Sequence, residues 1–163
     1  MVRRQIACMA GVVLALLSLA GEHGWASGDT PIVIQDGSLT IQSAVPWKQF
    51  KGEGDHRSHP NAEGAITNVV VTIGGKNQTI ACNGQRCAIV VTYAGSDIVV
   101  ESGADGKGLS ISPMGVFEKG ADDNTLAHRN QKAKITHVSV SMSGVKLIDQ
   151  AASGGTKVVI SFQ

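Results

Sequence analysis

Residues 66–93 read ITNVVVTIGGKNQTIACNGQRCAIVVTY, and residues 135–162 read ITHVSVSMSGVKLIDQAASGGTKVVISF. The two stretches align without a gap at an offset of 69. Ile66, Thr67, Val69, Val71, Gly75 and Val90 recur as Ile135, Thr136, Val138, Val140, Gly144 and Val159. Conservative matches join Ile89, Val91 and Tyr93 to Val158, Ile160 and Phe162. The apolar residues alternate with polar ones and are β-branched, which is the pattern of a strand with one face buried. Gly74-Gly75, Asn83-Gly84 and Ala94-Gly95-Ser96 interrupt the runs, and such residues supply the positive φ angles of tight turns. No segment beyond the N-terminal region carries a helical stripe.

Working outward, the match extends upstream. Ile32-Val33-Ile34 corresponds to Ile98-Val99-Val100, and Leu39-Thr40-Ile41 to Leu109-Ser110-Ile111, with four extra residues between the second pair of strands. Trp47 falls opposite Phe117, and His59-Pro60-Asn61 opposite His128-Arg129-Asn130. The chain therefore reads as two tandem copies of one β unit, about 31–93 and 97–163. The expected fold is all-β, an antiparallel sandwich or barrel of two pseudo-symmetric units, with a small β-helix as the alternative. The repeat also assigns the core face. Val69, Val71 and Ile73 stay apolar in the second copy as Val138, Val140 and Met142, whereas Asn68, Val70 and Thr72 become His137, Ser139 and Ser141. Period two then turns the first set inward and leaves His137 in solvent.

Arg3 and Arg4, the apolar run Ile6–Ala20 and the small residues around Ala26 form the three regions of a secretory signal peptide. The run is too short for the roughly 20 residues that span a bilayer. Residues 1–26 are thus expected to be cleaved, leaving 27–163 as a single domain that is secreted or periplasmic, with no membrane span. The mature chain carries 12 basic and 12 acidic residues, so nothing favours nucleic acid or an anionic membrane. In an oxidising compartment Cys82 and Cys87 are expected to form a disulfide across the Asn83-Gly84 hairpin. Their counterparts by the offset are Ala151 and Thr156, so the bond is expected to reinforce the fold locally.

Each copy contains a loop long enough to be functional, residues 43–64 and 113–134. Three of the four histidines that remain after processing lie there. His56, His59 and His128, with carboxylates nearby, are a candidate set for a divalent transition metal; otherwise they are polar loop residues that cap turns. Trp47, Arg57, Asn61 and Asn130 are the candidates for binding a small ligand or glycan by stacking and hydrogen bonding, although Trp47 and Phe117 are equally suited to plug the core. Neither Gly-x-Ser-x-Gly nor a phosphate loop is present, and 103–108 reads as a hairpin tip. The expected function is an exported, non-enzymatic ligand- or metal-binding domain with its site in the two loops. The alternatives are an assembly subunit that pairs with a protein partner through strand edges, the final strand first among them, and a small secreted hydrolase.

Overall fold

A computed structural model of the chain describes residues 31–36, 39–52 and 54–163. The expected signal peptide and cleavage site, and Glu53, lie outside the described residues. The strands are β1 (Ile32–Gln35), β2 (Thr40–Ser43), β3 (Arg57–Ser58), β4 (Ile66–Ile73), β5 (Lys76–Ala81), β6 (Cys87–Tyr93) and β7 (Ser96–Glu101). They continue as β8 (Ser110–Ser112), β9 (Phe117–Lys119), β10 (Thr125–His128), β11 (Ile135–Met142), β12 (Val145–Ala151) and β13 (Lys157–Phe162). One sheet has the order β5-β4-β13-β1-β2-β10-β9 and the other β12-β11-β6-β7-β8-β3. Every pairing among these strands is antiparallel, which makes the fold a sandwich and excludes a β-helix. No helix among the described residues is long and apolar enough to cross a membrane.

Strands 69 residues apart occupy the same place in opposite sheets: β4 and β11, β5 and β12, β6 and β13. Each sheet therefore takes strands from both halves of the chain. Registers agree as well as order. Val69 faces Ile160, and Val138 faces Val91; Ile32 faces Ile160, and Ile98 faces Val91. Even the irregularity before Phe162 in β13 reappears before Tyr93, at Ile135 in β11.

The core lies where alternation places it. Val69, Val71, Ile89, Val91, Tyr93, Val138, Val140, Val158, Ile160 and Phe162 are all buried. Ile73 and Met142, next to the turns, are half-buried. His137 sits on the outer face, its Nε2 2.7 Å from Asp149 Oδ1.

Three expectations need correction. Asn83-Gly84 is a tight turn, with φ of 49° and 74°, but it does not join paired strands. β5 pairs with β4 in one sheet, and β6 pairs with β11 and β7 in the other, so the turn carries the chain across the sandwich. The Cys82–Cys87 disulfide, with Cα atoms 6.1 Å apart, ties that crossing. In the other half the crossing from β12 to β13 is held by a hydroxyl: Thr156 Oγ1 donates to the Ser153 carbonyl at 2.6 Å. A bulge in β12 moves the equivalence by one residue, so Ala152, not Ala151, matches Cys82; both donate N–H to the carbonyl of matching threonines, Thr136 and Thr67. Finally, β13 is not an edge strand. It lies between β4 and β1, and the sheet edges are β5, β9, β12 and β3.

Candidate functional site: a hollow between the two long loops

Neither long loop is featureless. The first contains a 3₁₀ turn at Trp47–Gln49 and then β3; the second folds β9 and β10 into a hairpin. Pro46 starts the 3₁₀ turn in an extended conformation (φ −55°, ψ 136°), the conformation its ring presets. Phe50, immediately after the turn, is buried and stacks on Trp47 with centroids 4.3 Å apart.

The two loops are joined to each other. Asn124 is the clamp: its Nδ2 donates to the carbonyls of Ser43 (3.0 Å) and Ala44 (3.2 Å). Its own carbonyl accepts from Trp47 Nε1 at 2.8 Å and from the Ser43 backbone N–H at 2.9 Å. At the other end, Met114 N–H donates to the Asp55 carbonyl at 2.9 Å, and Gly115 N–H donates to the Asp55 carboxylate. Between these ties lies an open hollow of about 350 Å³. Trp47, Lys48 and Arg57 come to it from the first loop; Met114, Phe117, Leu126 and the Glu118–Asp123 turn region come from the second. Its floor is apolar and its rim is charged. Lys119 and Asp123 on the rim are 2.7 Å apart, and each keeps the other ionised, the lysine pKa moving up and the aspartate down. Arg57 Nη1 donates to the carbonyls of His56 (2.8 Å) and Gly54 (3.2 Å), which fixes the guanidinium at the hollow's side.

Of the residues singled out from the sequence, Trp47 and Arg57 line this hollow. Asn61 and Asn130 do not. Each closes an Asx turn, Asn61 Oδ1 accepting from Glu63 and Gly64 N–H, and Asn130 Oδ1 from Lys132 N–H. Phe117 is a core plug, and its spatial counterpart is Phe50 rather than Trp47: Phe117 packs edge-on against His128 and Phe50 edge-on against His59.

The histidines fall in three different surroundings. His56 is exposed and His59 buried, because three residues along an extended segment reverse the side of the chain, whereas on a helix that spacing would align them. His59 stacks on Phe50 and Phe162; His128 stacks on Tyr93 and Phe117. Both use Nδ1 to accept a backbone N–H two residues on, from Asn61 (3.1 Å) and Asn130 (3.0 Å). Among the described residues no group of three or more His, Cys, Asp or Glu is placed to hold a metal ion. Sequence reasoning missed Asn124, and it read Asp55 only as a loop carboxylate near Trp47 and Arg57; these are the residues that bring the loops together. Both sit in polar turns, where the sequence carries no sign of a long-range partner. Compared with family models, curated proteins and solved structures, the chain matches none.

Proposed function

We propose that the chain is an exported, non-enzymatic binding module whose site is the hollow between loops 43–64 and 113–134, and that its ligand is a small polyhydroxylated molecule such as a glycan unit. The observation that carries this reading is the convergence of both loops on one hollow walled by Trp47 and Arg57. Its volume is at the lower end of the roughly 300–1,000 Å³ range of small-ligand sites. An indole held in place by its own hydrogen bond offers a fixed apolar face. Lys48, Arg57, Glu118 and Asp122 around it offer donors and acceptors of both signs, which suits hydroxyl groups better than a single formal charge. The matched strand order and registers of the two sheets support the further reading that the unit was duplicated.

The test is a glycan array probed with the purified protein, followed by calorimetric titration of any hit. Trp47→Ala and Arg57→Ala should each weaken binding by tenfold or more without lowering Tm by more than a few degrees. A hit that ignores both substitutions, or an array without hits, overturns the reading.

Assembly through a strand edge is favoured by one observation: Val145 (62% exposed) and Leu147 (43%) both lie on the edge strand β12. The same strand has a bulge and a Lys146–Asp149 ion pair, both of which discourage edge pairing. Sedimentation over a hundredfold concentration range decides this, since an edge-paired subunit must dimerise or aggregate.

A further inference from the structure

The first loop and β13 meet on one side chain. His59 follows β3 directly, and its ring is enclosed by Phe50 of the loop, edge-on with centroids 5.2 Å apart, and by Phe162 of β13 at 4.6 Å. Phe50 in turn stacks on Trp47 at 4.3 Å, so an unbroken run of rings leads from the core to the wall of the hollow. The backbone follows the same route. Ser58 and Lys51 exchange two hydrogen bonds, at 2.6 and 3.0 Å, and the Phe50 N–H donates to the Trp47 carbonyl at 3.1 Å.

The imidazole cannot take a proton where it lies. Nδ1 accepts the Asn61 N–H at 3.1 Å, so its lone pair is used and the ring proton is on Nε2. Nε2 is sealed from solvent and, among the described residues, is the one buried side-chain polar atom without a hydrogen-bond partner. A proton added at Nδ1 would point an N–H at the Asn61 N–H and break that bond. It would also leave a charge with two donors and no acceptor between two phenyl rings. Burial accordingly lowers the pKa of the ring.

The elements packed on the ring bring no counter-charge to it. Lys51, Asp55, His56 and Glu63 of the loop are exposed, and Arg57 lies on the opposite side of β3. β13 carries only Lys157, at its far end. The connection 102–109 joins β7 to β8, and its Leu109 carbonyl accepts the His59 backbone N–H at 2.8 Å. That connection carries an exposed Asp105 and an exposed Lys107, the latter paired with Glu63 at 2.6 Å.

We propose that acid opens the first loop: His59 gains its proton only by leaving the slot between Phe50 and Phe162, and its departure removes the support of Trp47 and releases the hollow's ligand. This rests on the hollow being the binding site, as proposed above. The coupling is reciprocal, so a ligand that holds Trp47 in place also holds His59 neutral. Affinity is then constant well above the ordinary histidine value of about 6.5 and falls with acid, approaching tenfold per pH unit once the protonated, opened form dominates.

The experiment is ¹⁵N NMR of the purified protein between pH 7.5 and pH 4.5, following the His59 ring, the Asn61 N–H and the Trp47 indole N–H. All three should change with one midpoint below pH 6.5. Across it, protection of the indole N–H against hydrogen exchange should fall at least tenfold while the amides of β4 and β11 keep theirs. The change at Trp47 should be absent in His59→Phe; should that variant not fold, the coincidence of the three midpoints in the unaltered protein decides alone. Calorimetric titration of a glycan hit should give at least tenfold weaker binding at pH 4.5 than at pH 7.5. Four results overturn the proposal: a His59 ring that stays neutral down to pH 4.5, a Trp47 response whose midpoint differs from that of the ring or that survives His59→Phe, protection lost throughout both sheets at once, or a glycan bound equally at both pH values. An array without hits overturns the binding reading alone, and the NMR midpoints still decide whether acid opens the loop.

Discussion

Reducing the Cys82–Cys87 bond should lower stability by about 2 kcal/mol and leave the fold intact. The closed loop spans a sequence separation of only 5, and the chain-entropy relation for so short a loop gives about 2 kcal/mol at 25 °C. In a domain of this size each kcal/mol moves Tm by roughly 4 °C, so the expected drop is about 8 °C. Replacing both cysteines by alanine should cost more than reduction. Each sulfur is wholly buried, and its removal leaves a void worth roughly 1 kcal/mol beyond the entropy term. The pair of measurements, urea unfolding of the oxidised and reduced protein and of the double alanine variant, separates cross-link from packing. The reason to expect survival is the other half of the molecule, which makes the same sheet-to-sheet crossing with hydrogen bonds and no disulfide. A loss on reduction above about 4 kcal/mol, or a reduced chain that no longer folds at 25 °C, would refute that reasoning, because the crossing would then depend on the bond.

Other perturbations follow from the same geometry. Gly106→Ala combines a φ of 81° with a collision against the Gly84 carbonyl, and should destabilise by about 3 kcal/mol in thermal or urea unfolding. Asn124→Ala removes both side-chain bonds that clamp the loops, and should cost about 2 kcal/mol while hydrogen exchange quickens at Trp47 and Ser43 before the rest of the sheet. Acid should act through His59, whose native pKa is lowered by burial. Above the unfolded value of about 6.5 both states are neutral and its contribution is complete; below it the unfolded chain takes a proton that the native ring refuses. Stability then falls by up to about 1.4 kcal/mol per pH unit until the native pKa is reached. His59→Phe should flatten that slope in urea midpoints measured from pH 8 to pH 5, and an unchanged slope contradicts the assignment.

Alternation is a local property, which is why the inward set Val69, Val71, Ile89 and Val91 was legible from residues alone. A strand's neighbours are not local. Gly74-Gly75 and Asn83-Gly84 carry the same turn chemistry, yet the first joins paired strands and the second joins two sheets. Nothing in either dipeptide distinguishes them, because the choice depends on which strand occupies the adjacent position, and for β5 and β6 that is settled by β4 and β11. Histidines His56 and His59 show the same limit at a smaller scale. Their spacing means convergence on a helix and divergence on a strand, so the chemistry read from it depends on a conformation that two residues of β3 decide. The convergence of the two long loops is likewise not a local property. Asn124 selects it through bonds to residues 80 and 81 positions away.

Correspondence between the halves is most informative where it fails. The disulfide and the longer connection 102–109 both break it, and both belong to one corner of the sandwich. Gly106 packs on Gly84 inside the disulfide loop, and Ser102 binds Cys87 through both its N–H and its hydroxyl. The other half reaches the same strand order and register without either of them, so the fold itself does not require them. Their common effect is to tie the turn 103–107 to the sheet-to-sheet crossing at Cys82–Cys87.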